Sequence, residues 1–457
     1  MTPKTSQPFV VTEPVVVTGL GMATSLGFGV ETNWERLLAG ESEIRHLPEH
    51  MFPLPVALPV RTGAAVNREA LTEEIRRRVP RSVWNTTEPA GHLWLVAALE
   101  ALEHAGLHPK PENGSAIEKD PRRTGIYVGS GAGAILFAEG EYIRVYTAEK
   151  AIQRDVSRFA LPMYMSSSLA GQLSIVTGAR GPAMTINTAC SSGSTAILSA
   201  LDALRSGRID RAIAGGTDIA ISSAILKGFY KLGALSTPVD GVSSACRPFD
   251  TARNGLVVGE GAACLVLERA DTAAARRAEP LAHLLGGASN TEAFHLLAPR
   301  DEGEDMAACM EMALEDSLLP PEKVVHVYAH GTGTRYNDAC EATALQRVFP
   351  HRPTVSASKE LLGHTLGAAG AIDSVLAVMG QTRGGVVPLR NLENPDPECP
   401  VNAALESAHP HLPGNGTDSG SDSGSDSGIV MVESFAFGGH NTALLFGPPS
   451  MAHHEER

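Results

Sequence analysis

The strongest constraint on the fold is a rhythm of short apolar runs that end in glycine-rich turns and are followed by helical segments. Val15-Val16-Val17 leads into Thr18-Gly19-Leu20-Gly21, a buried strand entering a tight turn. Asn33 to Leu38 reads as helix, and Leu93 to His104 (LWLVAALEALEH) is a second helix stopped by Gly106. Gly125 to Val128 is a short β-branched strand that ends in Gly129, Gly131 and Gly133. Ser194 to Arg205 is Ala/Leu-rich and helical, Arg211 to Ala214 runs into Gly215-Gly216, and Ala262 to Glu268 is another strand. The alternation resumes after about residue 280. Met306 to Leu314, Asp338 to Val348 and Ala368 to Met379 read as helices, and Val324 to Tyr328, Val355, Ile429 to Val432 and Thr442 to Phe446 as strands. This pattern predicts α/β layers rather than an all-α or all-β chain. Both stretches put a reactive-looking side chain just after a strand. That points to two related halves, 1–270 and 271–457, although their direct self-similarity is weak.

Composition sets the outer limits. The 457 residues are 43% apolar and 19% charged, which excludes wholesale disorder. With 37 basic and 51 acidic residues the formal charge is −14. A surface-wide binder of nucleic acid or anionic membrane would need the opposite sign, so an acidic partner must dock on a local basic patch. Cys190, Cys246, Cys264, Cys309, Cys340 and Cys399 contain no CxxC pair, and their spacing fits neither a zinc site nor a disulfide framework. No metal is expected. The N-terminus lacks a basic segment followed by an apolar run, and no stretch approaches about 18 apolar residues. The expectation is a cytoplasmic protein with reduced thiols. Gly414 to Gly428 (GNGTDSGSDSGSDSG) reads as a flexible surface insertion before the last two strands. A calcium-binding Asp repeat is the alternative there, but the segment lacks a Glu or apolar anchor.

Four motifs carry chemistry. The first is Thr185-Ile-Asn-Thr-Ala-Cys190-Ser-Ser-Gly-Ser194, followed at once by a helix. A cysteine there sits beside free N–H groups and the positive end of the helix dipole, which favour the thiolate. Ala189, Ser191 and Gly193 leave room for a substrate carbonyl. Packing as a small buried hydrophobe is the competing role for Cys190. The second motif, Tyr328-Ala-His330-Gly-Thr332-Gly-Thr334, delivers His330 from a strand to a glycine turn. The third runs from Ser356 through Lys359 and Gly363-His364 to Gly370. A helix start favours a neutral His364 that can donate to an oxygen anion. A lone histidine is usually structural, but two in glycine turns are harder to dismiss. The fourth, Ser434-Phe-Ala-Phe437-Gly-Gly439, offers backbone N–H groups for an oxyanion, with Phe437 as plain core the ordinary alternative.

In this order TACSSGS, HGTGT with Asn337-Asp338 and Glu341, KxxxxGHxLGAAGA and FxFGG resemble the β-ketoacyl-acyl-carrier-protein synthases, condensing enzymes of the thiolase superfamily. VVVTGLGMATSLG, Arg247-Pro-Phe-Asp250 and Gly259-Glu-Gly-Ala add to a likeness that covers about residues 13 to 447, nearest the elongating type II-like branch. The resemblance implies a thiolase-like αβαβα arrangement and decarboxylative condensation without a cofactor. It assigns Cys190 as nucleophile, the N–H groups of Cys190 and Phe437 as oxyanion hole, His330 and His364 as donors to the enolate oxygen, and Lys359 as their orienter. Thr332 and Thr334 match pantetheine-binding positions, and residues 433–441 form the gate loop.

The implied partner is an acyl carrier protein, with a homodimer or a heterodimer with a chain-length-factor-like homologue as the assembly. By alignment, Ala132 and Ala160 replace larger residues that line the acyl pocket in relatives, and Arg154, Lys227 and Lys231 fall at docking positions. Arg76-Arg77-Arg78 with Arg81 is a second basic candidate. A thiolase-like enzyme of CoA thioesters is one rival, but no later cysteine stands in a CxG context. A non-catalytic chain-length subunit is the other, and the intact Cys190, His330, His364 and Lys359 argue against it. Three departures from the usual NSFGFGGTN stand out: Glu433, Ala436 and His440 replace Asn, Gly and Thr. Ala436 is expected to stiffen the hinge beside Phe437.

Overall fold

The computed structural model describes residues 13–52, 58–107, 117, 120–146, 157–237, 241–407, 412 and 428–451. Strands Val15–Thr24, Thr124–Gly129, Ala183–Ile186, Arg211–Asp218 and Gly261–Arg269 form the first part of one continuous sheet. Strands Ala282–Thr291, Val324–Tyr328, Thr354–Ser356, Ile429–Ala436 and His440–Gly447 form the second. Counted outward from the centre, the chain order of the strands is first, fifth, fourth, second, third in both parts. The two first strands meet antiparallel, Val15 opposite Leu284 and Val17 opposite Ala282, and join the parts. The repeat that is faint in the residues is plain in the connectivity.

Period-two alternation explains the layering. Along Gly261–Arg269, Ala263, Leu265 and Leu267 face the central core while Ala262, Cys264 and Val266 face an outer one. Along Ile429–Ala436, Val430 and Val432 face the same central core, and Ile429 and Met431 face the outer one of the second part. Helices Ser192–Arg205 and Ala369–Arg383 fill the central layer with Ile197, Leu201, Val375 and Leu376. Helices Pro89–His104 on one side, with Glu304–Ser317 and Arg335–Val348 on the other, cover the outer faces. Each fully buried Leu, Ile or Val stabilises the fold by about 1.5–3 kcal/mol. The result is the five-layer αβαβα order.

Both central helices begin alike. A single 3₁₀ turn, Ala189–Ser191 or Leu366–Ala368, precedes each, and Ala189 and Leu366 share a left-handed φ of 51°. Such a φ is strained for a residue with a side chain. In the first half the next residue is Cys190; in the second it is Gly367, whose place a side chain could not take because its Cβ would meet the Gly131 nitrogen at 2.4 Å. One copy of the turn presents a sulfur, and the other packs its backbone against Ser130 and Gly131. All six cysteines are free thiols, and Cys190 alone of them is not fully buried. Among the described residues no helix is long and apolar enough to cross a membrane. Of the Gly414 to Gly428 insertion only Gly428 falls within the described residues.

Candidate active site

A cavity of about 560 Å³ collects the motifs that the sequence scatters over 250 positions; its lining includes Cys190, Thr332, Thr334, His330, His364 and Phe437. Strand Val324–Tyr328 delivers His330, whose ring stands edge-on to His364 with centroids 5.2 Å apart. His364 sits between helix Lys359–Leu362 and the 3₁₀ turn, and is held by its backbone: its N–H donates to Val257 O at 2.6 Å and its carbonyl accepts from Gly259 N at 2.9 Å. Phe435 packs edge-on behind His330 at 6.2 Å.

Burial pushes the pKa of both imidazoles down, His330 well below its ordinary value and His364 to about 3, and the Lys359 ammonium adds to this. The rings are therefore neutral at neutral pH, and each can offer one N–H to an anionic oxygen. Lys359 lies under them, fully buried, its Nζ 3.2 Å from the Asp373 carboxylate. Asp373 also accepts from Ser358 Oγ. Asp373 escapes sequence reasoning, although a lone acid in the apolar run Ala371-Ile-Asp-Ser-Val-Leu-Ala, fourteen residues after Lys359, marks it.

The backbone N–H groups of Cys190 and Phe437 both act on the Cys190 sulfur. Burial, reinforced by the Asp218 carboxylate, pushes Cys190 up to about 12, against the opposing pull of Lys359 and the two backbone N–H groups. Asp218 ends strand Arg211–Asp218 and accepts from Ser130 Oγ, Gly131 N, Ala132 N and Gly367 N at 2.7–3.1 Å. Burial lifts it to about 6. It ties the turn holding Ala132 to the start of the second central helix, and no motif in the sequence announces it.

The gate turn is tolerant of Ala436. Left-handed backbone falls on Gly438 (φ 87°) and Gly439 (φ 70°), whereas Ala436 still pairs in the strand opposite His440. In this conformation the turn needs no positive φ at 436. His440 lays its ring over Gly438, 2.9 Å from where a Cβ would stand. Thr332 and Thr334 share a 2.9 Å hydroxyl contact at the cavity wall.

The remaining candidates separate by position. Ala132 is half-buried in its turn, and Ala160 is buried at the start of helix Ala160–Tyr164; neither lines the cavity around Cys190. Lys227 and Lys231 are exposed on helix Ser223–Lys231, which borders the cavity through Phe229 and Leu232. Arg77 and Arg78 are tied to Glu74, and Arg76 stacks on Trp84. Arg154 lies outside the described residues.

With this geometry in place, comparison with known proteins is decisive. Residues 12–273 match the β-ketoacyl synthase N-terminal domain, and residues 281–393 match the C-terminal domain. The chain belongs to the β-ketoacyl synthase family. It is 32% identical over 437 residues to a barley protein named 3-oxoacyl-[acyl-carrier-protein] synthase I, chloroplastic, covering 95% of this chain and 89% of that one. Among solved structures, a β-ketoacyl synthase from Burkholderia phymatum superposes with a TM-score of 0.82 at 31% identity, over 95% of this chain and 99% of that one. The ishigamide ketosynthase/chain length factor superposes at 0.81 with 28% identity, over 96% and 100%. These neighbours are ketosynthases of thiolase-like fold, and the layer order described above is theirs.

Proposed function

We propose that this chain is an elongating β-ketoacyl-acyl-carrier-protein synthase that joins an acyl group to a malonyl unit by decarboxylative Claisen condensation. The observation that carries the reading is the convergence of Cys190, two neutral histidines and two backbone N–H groups on one cavity. Cys190 Sγ attacks the acyl thioester, and the N–H groups of Cys190 and Phe437 hold the oxyanion. Collapse expels the pantetheine sulfur, which leaves with the proton the thiol has shed. Malonyl carrier protein then loses carbon dioxide, and the electron pair of the broken C–C bond forms an enolate whose oxygen accepts from His330 and His364. That carbon attacks the acyl group on Cys190, the C–S bond breaks, and 3-oxoacyl carrier protein leaves while the sulfur regains a proton. Lys359, paired with Asp373, fixes the floor beneath the imidazoles. Thr332 and Thr334 hold the pantetheine arm.

Incubating the purified chain with acyl and malonyl carrier proteins tests this: 3-oxoacyl carrier protein forms with the native chain and not with Cys190→Ala. Product from the alanine variant rejects the mechanism.

An acidic carrier protein needs positive charge at the entrance, and the exposed Lys227 and Lys231 beside the cavity supply it. A two-fold dimer is the assembly that fits the sheet edge. Ala183–Ile186 is the outermost strand, and Met184 on it, with Tyr142, Leu161, Met165 and Ile175 on nearby elements, is solvent-exposed in the single chain. Unpaired edges and exposed apolar side chains of this kind are normally covered. We take Ala132 and Ala160 to widen the acyl pocket completed by that second copy, and the halves to join near residue 270. A cytoplasmic site of action goes with this reading.

A further inference from the structure

We infer that Glu433 is a positioning residue that works in its protonated form: its carboxyl O–H donates to the Glu341 carboxylate, which in turn holds the backbone of His330. Glu433 lies on strand Ile429–Ala436 and is fully buried, and neither of its oxygens accepts a hydrogen bond. An ionised carboxylate in that position would be uncompensated, which folded proteins avoid by neutralising the group. Its polar contact is a second acid, Glu341, on helix Arg335–Val348. That partner is served by donors: the His330 N–H on one oxygen, and on the other Gly331 N–H at 2.8 Å and Asn337 Nδ2 at 3.0 Å. Two neighbouring carboxyls, one held by three donors and one by none, divide a single proton in one way. The donor-rich member is the anion, and the other carries the hydrogen.

The other groups facing the pair do not alter the division. Asp338, on the same helix, adds negative charge to Glu341 and is itself engaged by Phe249 N–H, with the Arg253 guanidinium 4.0 Å away. Lys359 and the backbone donors draw Glu341 towards the anion, against burial and Asp338, which raise it to about 7. On helix Glu304–Ser317 the Cys309 thiol faces Glu433 and is pushed up to about 12 by burial, so it stays neutral. Burial and the neighbouring Glu341 both raise Glu433 well above its ordinary value. The position departs from the asparagine expected from the family resemblance. An asparagine would supply a fixed N–H donor; a glutamic acid supplies one that alkali removes. The acid–anion pair sits one hydrogen bond from the His330 amide, so losing the proton sets two charges against the backbone that carries the imidazole.

The test measures decarboxylation of malonyl carrier protein against pH for the native chain, Glu433→Gln and Glu433→Leu, with infrared difference spectra of the first two. Decarboxylation is chosen because it does not need the Cys190 thiolate. The native chain should lose rate on the alkaline side. Glu433→Gln should stay within about threefold of it near neutral pH and lack that alkaline fall. Glu433→Leu, which removes a donor to a buried charge, should be slower by about tenfold or more. A protonated-carboxyl C=O band should be present in the native chain and absent from Glu433→Gln. If Glu433→Leu does not fold, the glutamine variant and the spectra still decide. An unchanged alkaline limb in Glu433→Gln overturns the positioning role, and absence of the band overturns the protonated pair. The kinetic arm rests on the condensing reading and the infrared arm does not. A native chain with the band but no decarboxylation would therefore sink the condensing reading and leave the shared proton standing.

Discussion

At Cys190 two influences oppose each other: burial beside Asp218 raises the thiol, and Lys359 with two backbone N–H groups lowers it, the first prevailing. In the proposed mechanism the thiol is therefore expected to give up its proton as it meets the thioester. Alkylation by iodoacetamide should therefore climb about tenfold per pH unit from neutrality upward, as the thiolate fraction does below its pKa. A rate that levels off near neutral pH would mean the lowering influence dominates. In the proposed mechanism His330 and His364 act on the other half-reaction. Replacing either by Ala should slow malonyl decarboxylation by about 10²–10³, while Cys190→Gln should decarboxylate without condensing. The residues legible from sequence were those inside glycine-rich motifs: Cys190, His330, His364 and Phe437 all line the cavity as expected. Asp218 and Asp373 were not legible as parts of the site. Each acts through contacts made by distant strands and helices, such as Asp218 with Gly131 and Gly367, and no local spacing encodes those.

Among the elements, the crossing of the two central helices is tightly packed. Ser194 Oγ and Ser434 Oγ are 2.8 Å apart, and a Cβ on Gly370 would stand 1.9 Å from the first and 2.5 Å from the second. Gly370→Ala should destabilise the fold by about 1–3 kcal/mol through overpacking, visible as a lower Tm. A Tm unchanged by that substitution would mean the helices are not held this closely. Lys359→Met is the electrostatic counterpart. It strands the Asp373 carboxylate in a dry interior, which typically costs about 3–5 kcal/mol. Element type was readable where apolar residues run together, as in strand Val324–Tyr328 and helix Ser192–Arg205, but not for strands Ala183–Ile186 and Ala282–Thr291 or helices such as Arg68–Arg78 and Ser168–Thr177. Which strands pair was not readable, since Val15 finds Leu284 and Arg269 through register set far along the chain.

For the whole molecule, net charge and assembly govern traffic to the site. A chain of charge −14 must meet an acidic carrier through a local patch. Charge reversal at Lys231 should weaken turnover of carrier-bound substrate and leave a small thioester donor untouched; equal loss with both donors would reject the docking role. The exposed edge strand Ala183–Ile186 predicts a particle of two chains by light scattering, and a stable, active monomer would contradict it. Ala132→Ile should shorten the range of acyl chains accepted while short donors still react. An unchanged chain-length profile would remove Ala132 from the pocket.

The central claim is that Cys190 carries the growing chain. Peptide mass spectrometry after incubation with an acyl carrier protein thioester tests it most directly. The account predicts an acyl adduct on the Cys190 peptide that disappears on adding malonyl carrier protein. An adduct on another residue, or none while 3-oxoacyl product accumulates, would contradict it.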